Sequence, residues 1–212
     1  MKEKMNLQIF NGWDEVLREG GGNGQKTDFT KLQNGVTELR FLDAEPFARW
    51  AHWMNNCKRN VSCIGTECPI CDAIKTAKKA GTKTPYSSNR KFAMHVYNFN
   101  TGKVEIIEQG KNFFTQLHAL HEEMGDIRTY NIKVKTQNAG STDVTHTLMP
   151  LPPSELTEEI QALCKEEKLK PFDEIFKKPT REQIIDLMSG KSPEEVFGNK
   201  QEENSEDEEV GL

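Results

Sequence analysis

The chain lacks long apolar runs, and its mean hydropathy is low at -0.73. A helix that crosses a bilayer needs about 20 consecutive apolar residues, and no stretch of the sequence supplies them. The N-terminal residues 1–11 contain no apolar stretch of the length found in secretory signals. We therefore expect a cytoplasmic protein that does not contact a membrane.

Sequence motifs typical of enzymes are absent as well. No glycine-rich phosphate loop, Ser/His/Asp set or paired-carboxylate motif stands out. Cysteine is scarce, yet four of the five cysteines fall between residues 57 and 71. An odd number of clustered cysteines favours a metal site in a reducing compartment over a disulfide framework. The sequence thus predicts a non-enzymatic protein that binds a metal ion.

Charge is divided unevenly along the chain. Residues 1–150 carry 20 Lys and Arg against 16 Asp and Glu, whereas residues 151–212 carry 8 against 17. Between Cys57 and Lys91 there are eight basic residues and only two acidic ones. A basic body followed by an acidic tail is typical of proteins that bind nucleic acid and also contact protein partners.

Four segments are predicted from these patterns. Residues 1–35 form an N-terminal segment with a short helix at 12–19 and a glycine-rich linker, and residues 36–150 form the core. Residues 151–198 form a helical segment. Residues 199–212 form an acidic tail that lacks core-forming residues, and we expect this tail to be disordered.

Short strands separated by Gly and Asn turns dominate the predicted core. Strands are expected at 36–42, 47–54, 60–64, 91–99, 103–108, 129–135 and 143–148, and helices at 69–80, 111–124, 154–168, 180–188 and 192–197. A polar loop is expected at 82–90, and three prolines from Pro150 onward are expected to end the core. This content predicts a mainly β protein with helices (α+β), with an OB-like β-barrel that carries a zinc-bearing hairpin and helix as an insertion. A β-sandwich is the alternative.

Five candidate metal ligands lie close together in the sequence: His52, Cys57, Cys63, Cys68 and Cys71. The two-residue spacing of Cys68-Pro-Ile-Cys71 lets both thiolates reach one ion, and zinc takes four such ligands in a tetrahedron. Four protein ligands leave no open position for water, so we predict one structural Zn2+ ion. The alternative for the Cys-Pro-Ile-Cys pair is a thioredoxin-type redox motif, but no βαβ unit is recognisable around it.

The predicted hairpin discriminates among these ligands. If the chain reverses at Cys57-Lys58, His52 stands directly opposite Cys63 on one face, and Cys57 lies at the tip. About five residues at ~3.3 Å each then separate Cys57 from Cys63, which is too far for one zinc ion. The predicted ligand set is therefore one histidine and three cysteines, namely His52, Cys63, Cys68 and Cys71, with Cys57 in reserve.

Aromatic and basic residues interleave through the predicted core. Single-strand binders need both types, because bases stack on aromatic faces while Lys and Arg follow the phosphates. The candidate nucleic-acid contacts are Arg49, Trp50, Trp53, Lys58, Arg59, Lys75, Lys78, Lys79, Tyr86, Arg90, Lys91, Phe92 and Tyr97. The simpler interpretation is that the strand aromatics belong to a core and that the lysines are the solvated face of a helix.

The order of these features resembles the tailed-phage zinc-containing single-stranded DNA-binding (helix-destabilising) proteins. The resemblance covers Lys2 and Lys4, the basic and aromatic strands and the acidic tail, and it is concentrated in residues 47–71. In that family one His precedes three Cys, the last two spaced by two residues, as in His52, Cys63, Cys68 and Cys71. The spacing here is tighter than in the best-known member.

This resemblance implies an OB-fold core, cooperative self-association on DNA through the N-terminal segment, and a tail that recruits replication and recombination proteins. The tail residues concerned are Glu202, Glu203, Glu206, Asp207, Glu208 and Glu209. We therefore predict a protein that coats single-stranded DNA without strong sequence preference in phage DNA replication, recombination or repair, in the cytoplasm of the bacterial host. The alternative is a zinc-containing adaptor or regulator that acts through protein contacts with a polymerase or nuclease.

Overall fold

A computed structural model describes residues 28–165 and 169–198 of the chain, which form a mixed α+β structure. The strands in these ranges are β1 Gly35–Phe41, β2 Phe47–Met54, β3 Arg59–Ser62, β4 Tyr86–Asn98, β5 Lys103–Gly110, β6 Tyr130–Gln137 and β7 Thr145–Pro153. The helices are α1 Pro69–Ala80, α2 Lys111–Met124, α3 Glu158–Leu163, α4 Phe172–Ile175, α5 Arg181–Met188 and α6 Pro193–Phe197, with a 3-10 turn at Ile127–Thr129. The predicted helix at 12–19 and the acidic tail lie outside the described residues. None of the helices in these ranges combines the length and the apolar character needed to cross a bilayer.

The strands form one sheet in the order β3-β2-β4-β1-β6-β7, and β5 pairs with β4. Every one of these pairings is antiparallel. The long strand β4 pairs with β5 along one edge and with β2 and then β1 along the other. The predicted α+β class is confirmed, but within residues 28–165 and 169–198 the sheet is not closed into a barrel.

Apolar side chains collect in three clusters that are distributed over both faces of the sheet. Alternate residues of a strand point to opposite faces. On β4, Met94 and Val96 pack against Phe113 and Phe114 of α2. Ala93, directly before Met94, points to the other face and packs against α4. The third cluster lies at the far end of β2 and combines Met54, Val61, Cys68, Ile70, Ile184 and Leu187.

The strand β4 begins five residues earlier than predicted. Residues 86–90 were expected to belong to a polar loop, but they pair with β2, from Tyr86 opposite Met54 to Arg90 opposite Trp50. Residues 87–90 are exposed, so polar side chains are tolerated there. Because strand propensity depends on packing neighbours, local composition alone did not reveal this pairing.

The strand β7 continues through the prolines that were expected to end the core. Pro150 is paired with Ile132 and Pro153 with Tyr130 of β6. Proline lacks the N–H that a central strand needs, but an edge strand can present that side to solvent. Since β7 is the last strand in the sheet order, its prolines fit this position.

Two helices differ from expectation in the C-terminal part. The helix predicted at 154–168 is much shorter: α3 starts after Thr157, whose hydroxyl accepts a hydrogen bond from the Ile160 N–H, and ends at Leu163. The helix α4, which spans one turn, was not predicted. A capping box of Thr180 and Gln183 starts α5, which agrees with the predicted beginning of this helix at residue 180.

The helix α5 is packed against the segment that carries the cysteines. Its residues Ile184 and Leu187 are fully buried in one cluster with Cys68 and Ile70. We expect Leu187→Ala to lower the free energy of unfolding by about 2–5 kcal/mol, because the cavity cannot fully collapse. Urea unfolding of the protein measures this loss.

A matched control lies on the same helix. Ile185 is 42% exposed, and Ile185→Ala should change stability by no more than about 0.5 kcal/mol. Equal losses for both variants would contradict the packing of α5 described above.

Candidate metal centre

Four side chains from three elements converge beside the hairpin of β2 and β3. They are His52 of β2, Cys63 directly after β3, Cys68 before α1 and Cys71 in its first turn. One ligand atom from each lies within 4.8 Å of all the others. The structure therefore brings together the four residues that the sequence predicted as metal ligands, and none of their sulfurs is in a disulfide.

The spacing of the ligand atoms fits a tetrahedral ion. His52 Nε2 lies 3.5 Å from Cys68 Sγ and 3.5 Å from Cys71 Sγ, and the sulfurs of Cys63 and Cys71 are 3.7 Å apart. Bonds of about 2.0–2.1 Å to nitrogen and 2.3 Å to sulfur give tetrahedral separations of about 3.6 Å for N to S and about 3.8 Å for S to S. The four atoms are thus placed as ligands of one metal ion would be.

The hairpin register differs from the predicted one by two residues. His52 is paired with Val61 instead of Cys63, because the loop spans residues 55–58 between Met54 and Arg59. A shift by an even number of residues keeps each side chain on its predicted face. Cys63 therefore remains on the face of His52 as a diagonal neighbour, which is why the four predicted ligands still converge despite the error in register.

Local backbone conformation directs the three sulfurs to the same point. In the loop after Cys63, Gly65 and Glu67 adopt left-handed φ values of 85° and 58°, and the Gly65 N–H donates a 3.4 Å hydrogen bond to Cys63 Sγ. Cys68 is extended at the N-cap of α1, and Pro69 follows at the first helical position. The positive end of the helix dipole at this N-terminus favours thiolates.

Burial of the cluster favours the neutral form of the imidazole, and buried thiolates need a cation to balance their negative charge. His52 is fully buried and Cys68 is 1% exposed. Burial lowers the pKa of His52, so its ring is in the neutral form that ligates metals. Burial, followed by the hydrogen bond with Cys63, raises the pKa of Cys71 to about 12 in the metal-free cluster. The Cys71 thiol therefore loses its proton only when a metal ion replaces it.

Metal affinity should consequently fall steeply with acidification. Binding of one ion by three thiolates releases up to three protons. We therefore expect the metal affinity to fall by up to about three orders of magnitude for each pH unit of acidification. The lowered pKa of His52 keeps its imidazole neutral in the folded chain, so protonation of His52 adds little to this slope. Its effect is on folding instead: below pH ~6.5 the unfolded chain binds a proton that the folded chain resists, which lowers the stability of the metal-free fold. Competition with a chromogenic chelator between pH 7.5 and 6 measures the slope, and a pH-independent affinity would exclude thiolate ligands.

The two remaining cysteines lie outside this group. Cys57 belongs to the hairpin loop, and its sulfur is 4.0 Å from the Met54 carbonyl oxygen. Burial raises the pKa of the Cys57 thiol, which packs with the apolar cluster around Met54. Cys164 is half-buried near the end of α3. Burial raises the pKa of its thiol, and the charge of Arg40 partly offsets this rise.

The candidate nucleic-acid contacts are divided between the two faces of the sheet. We call the face of β2 and β4 that carries His52 the metal face. Residues that are paired across two strands share a face. Trp50 and Ala48 precede His52 on β2 by two and four positions, so they and their partners Arg90 and Phe92 lie on the metal face. The candidates on this side, including the lysines of the helix that covers it, are Trp50, Arg59, Tyr86, Arg90, Phe92, Lys75, Lys78 and Lys79. The opposite face carries Arg49, Trp53, Lys91 and Tyr97, and Lys58 is at the tip of the hairpin.

Several of these side chains are engaged within the protein. Arg49 forms a 2.9 Å ion pair with Glu108 and donates a hydrogen bond to Ser62, while its guanidinium lies 4.3 Å from the centre of the Phe176 ring. Tyr97 is 8% exposed and packs edge-on against Phe99. These contacts stabilise the face opposite the metal face.

Trp50 is the most exposed large apolar side chain of the described residues, at 56%. Arg90 stands directly across from it on β4 and lies over the Phe92 ring at 5.3 Å. Phe92 in turn contacts Phe114 of α2. Trp50, Arg90 and Phe92 thus form a strip, which we call the Trp50 strip, between the metal cluster and the core beneath α2.

Residues that support the cluster from outside the sequence motif were not identified from the sequence. Ile184 and Leu187 of α5 pack beneath Cys68, more than 110 residues away along the chain. Their three-residue spacing is a helical signal, but it does not reveal which surface the helix covers.

Comparison of the chain with protein-family models, with curated proteins and with solved structures gives no match.

Proposed function

We propose that this protein binds single-stranded DNA, with the Trp50 strip as the surface that receives the bases. The observation that carries the proposal is the exposure of Trp50 at 56% with Arg90 directly opposite on the same face. An indole exposed in the middle of a sheet loses hydrophobic stabilisation that a stacked base would restore. A guanidinium beside it supplies the charge that phosphates require.

Charge around the strip supports the same function. The last turn of α1 carries Lys78 and Lys79, both exposed, on the helix that covers the metal cluster. Ser88, which lies two positions before Arg90 on β4 and on the same face, is exposed and bears no charge. A strand of nucleic acid laid along this side meets aromatic rings and positive charges, the combination on which binding without sequence preference depends.

The strand order supports an open OB-like arrangement as the scaffold. Without the insertion of β2, β3 and α1, the chain order is β1, β4, β5, α2, β6 and β7, and the sheet order is β5-β4-β1-β6-β7. An OB-fold has five antiparallel strands in a partly open Greek-key barrel. The helix α2 lies between the third and the fourth of these strands, and a helix in this position is compatible with an OB-like arrangement.

The metal in this proposal is one zinc ion with a structural role. Three sulfurs and one imidazole in a tetrahedral arrangement are typical of zinc. Its ligands would tie the β2–β3 hairpin and the start of α1 to the sheet next to the Trp50 strip. Four protein ligands leave no position for a reacting water, so the ion would hold the surface and perform no chemistry.

We further propose that the chain is a diverged member of the tailed-phage zinc-containing single-stranded DNA-binding proteins. The described residues support this with the ligand order of one His and three Cys and with the OB-like strand order. Cooperative self-association through residues 1–35 and recruitment of replication, recombination or repair proteins by the acidic tail belong to the same proposal.

Fluorescence titration with oligo-dT and with a duplex of equal length tests this function. We expect the single strand to bind more tightly, with log affinity falling against log salt by about 0.7 for each phosphate neutralised. No binding of oligo-dT below ~10 µM at low salt, or a preference for the duplex, would exclude the proposed function, since non-specific binders reach at least that affinity.

A further inference from the structure

The ligands of the metal centre differ in their exposure. His52 is fully buried and Cys68 is 1% exposed, whereas Cys63 and Cys71 are only partly buried. A small solute that reaches the cluster from solvent therefore meets the sulfurs of Cys63 and Cys71 first. These two sulfurs are also only 3.7 Å apart.

We propose that Cys63 and Cys71 form a redox switch, in which a peroxide joins them in a disulfide, releases the metal and weakens binding at the Trp50 strip. The effect on DNA rests on the proposed function, whereas formation of the disulfide and release of the ion do not. The oxidant class is a hydroperoxide such as hydrogen peroxide, and a dithiol reverses the reaction.

The oxidation proceeds in two balanced steps. The Cys71 thiolate attacks one peroxide oxygen, the O–O bond breaks, and the departing hydroxide takes a proton to become water, which leaves a sulfenic acid on Cys71. The Cys63 thiolate then attacks that sulfur, the S–S bond forms, and a second hydroxide leaves and becomes water. Two sulfurs together lose two electrons, and one peroxide gains them.

Loss of these two ligands removes the metal because only His52 and Cys68 remain. Two protein ligands do not make the closed tetrahedral set of a structural zinc site. The disulfide would close the nine-residue segment from Cys63 to Cys71, which encloses Cys68. The released ion and the new bond therefore leave the hairpin and α1 without their common anchor.

The change reaches the DNA surface through the backbone of β2. The Cys63 N–H donates a 2.9 Å hydrogen bond to the carbonyl oxygen of Trp50. His52 follows Trp50 two positions later on the same face. A displacement of either ligand thus acts directly on the strand segment that presents the indole, and the loss of its stacking contact would weaken binding about tenfold.

The test uses the full, zinc-loaded chain treated with hydrogen peroxide in the presence of a chromogenic zinc indicator. We expect one zinc per chain to be released, a mass lower by two hydrogen atoms, and a Cys63–Cys71 cross-link in the peptide map. The variants Cys57→Ser and Cys164→Ser, whose cysteines lie outside the cluster, should respond in the same way. Retention of zinc, a cross-link that involves Cys57 or Cys164, or sulfinic acid without a cross-link would overturn the switch.

Titration of oligo-dT with the same samples tests the regulatory effect. The oxidised protein should bind about tenfold more weakly than the reduced, zinc-loaded protein, and dithiothreitol with zinc should restore the affinity. Equal affinity before and after verified oxidation would overturn the regulation. If the reduced protein does not bind oligo-dT, the proposed function fails, and zinc release and cross-linking still decide whether the disulfide switch exists.

Discussion

Replacement of His52 by alanine should abolish stable metal binding, whereas replacement of Cys57 by serine should leave it intact. His52 Nε2 lies 3.5 Å from two cysteine sulfurs, while Cys57 is outside the group of converging ligand atoms. Loss of groups that merely orient a ligand already lowers affinity about 10- to 100-fold, and loss of the ligand itself should exceed that. Competition with a chromogenic chelator at pH 7.5 measures both variants.

Comparison of the two variants distinguishes a residue that binds the metal from one that only lies near it in the same hairpin. Both residues belong to the segment of β2 and its loop, so a general loss of folding would affect the metal in both. Circular dichroism of the zinc-free proteins provides the control for secondary structure. The ligand set would be wrong if Cys57→Ser released the metal and His52→Ala retained it.

Replacement of Trp50 by alanine should weaken oligo-dT binding roughly 5- to 150-fold, the equivalent of one base stack of about 1–3 kcal/mol. Since Trp50 is 56% exposed, its removal leaves no cavity in the core, and we expect little change in the melting temperature. Fluorescence anisotropy of a labelled oligo-dT at fixed salt measures the affinity, and differential scanning calorimetry measures the stability.

Trp53 offers the matched control. It lies three residues further along β2 on the opposite face, and its indole N–H donates a 2.7 Å hydrogen bond to Asn55. We expect Trp53→Ala to weaken oligo-dT binding much less than Trp50→Ala. An equal or larger effect of Trp53→Ala on a folded protein would move the DNA surface to the other face of the sheet.

Local patterns determined much of the fold in advance. The helix α1 is found with its predicted bounds because Pro69 begins it and Gly81, with a left-handed φ of 65°, ends it. The convergence of His52 with the three cysteines was predictable because the spacing of Cys68 and Cys71 brings one pair together and the alternation of a hairpin brings His52 and Cys63 together. Such signals depend on residues near each other in the chain.

Features that depend on distant residues were not predictable in the same way. The pairing of residues 86–90 with β2 joins segments more than 30 residues apart, and nothing in the polar sequence of β4 specifies it. Strand alternation places Trp50 and Trp53 on opposite faces of β2. It does not determine that α1 covers one face and α4 the other, because this depends on packing between distant residues. Arg49 illustrates the same limit, since its partner Glu108 is 59 residues away.

The most direct test of the account is an oligo-dT titration of the full chain with and without a zinc chelator. The zinc-loaded protein should bind oligo-dT below ~10 µM at low salt. Removal of zinc should weaken this binding at least about tenfold, since the hairpin that presents Trp50 loses its anchor. If the zinc-free protein binds oligo-dT as tightly as the zinc-loaded protein, or if neither binds, the proposed link between the metal centre and single-stranded DNA is contradicted.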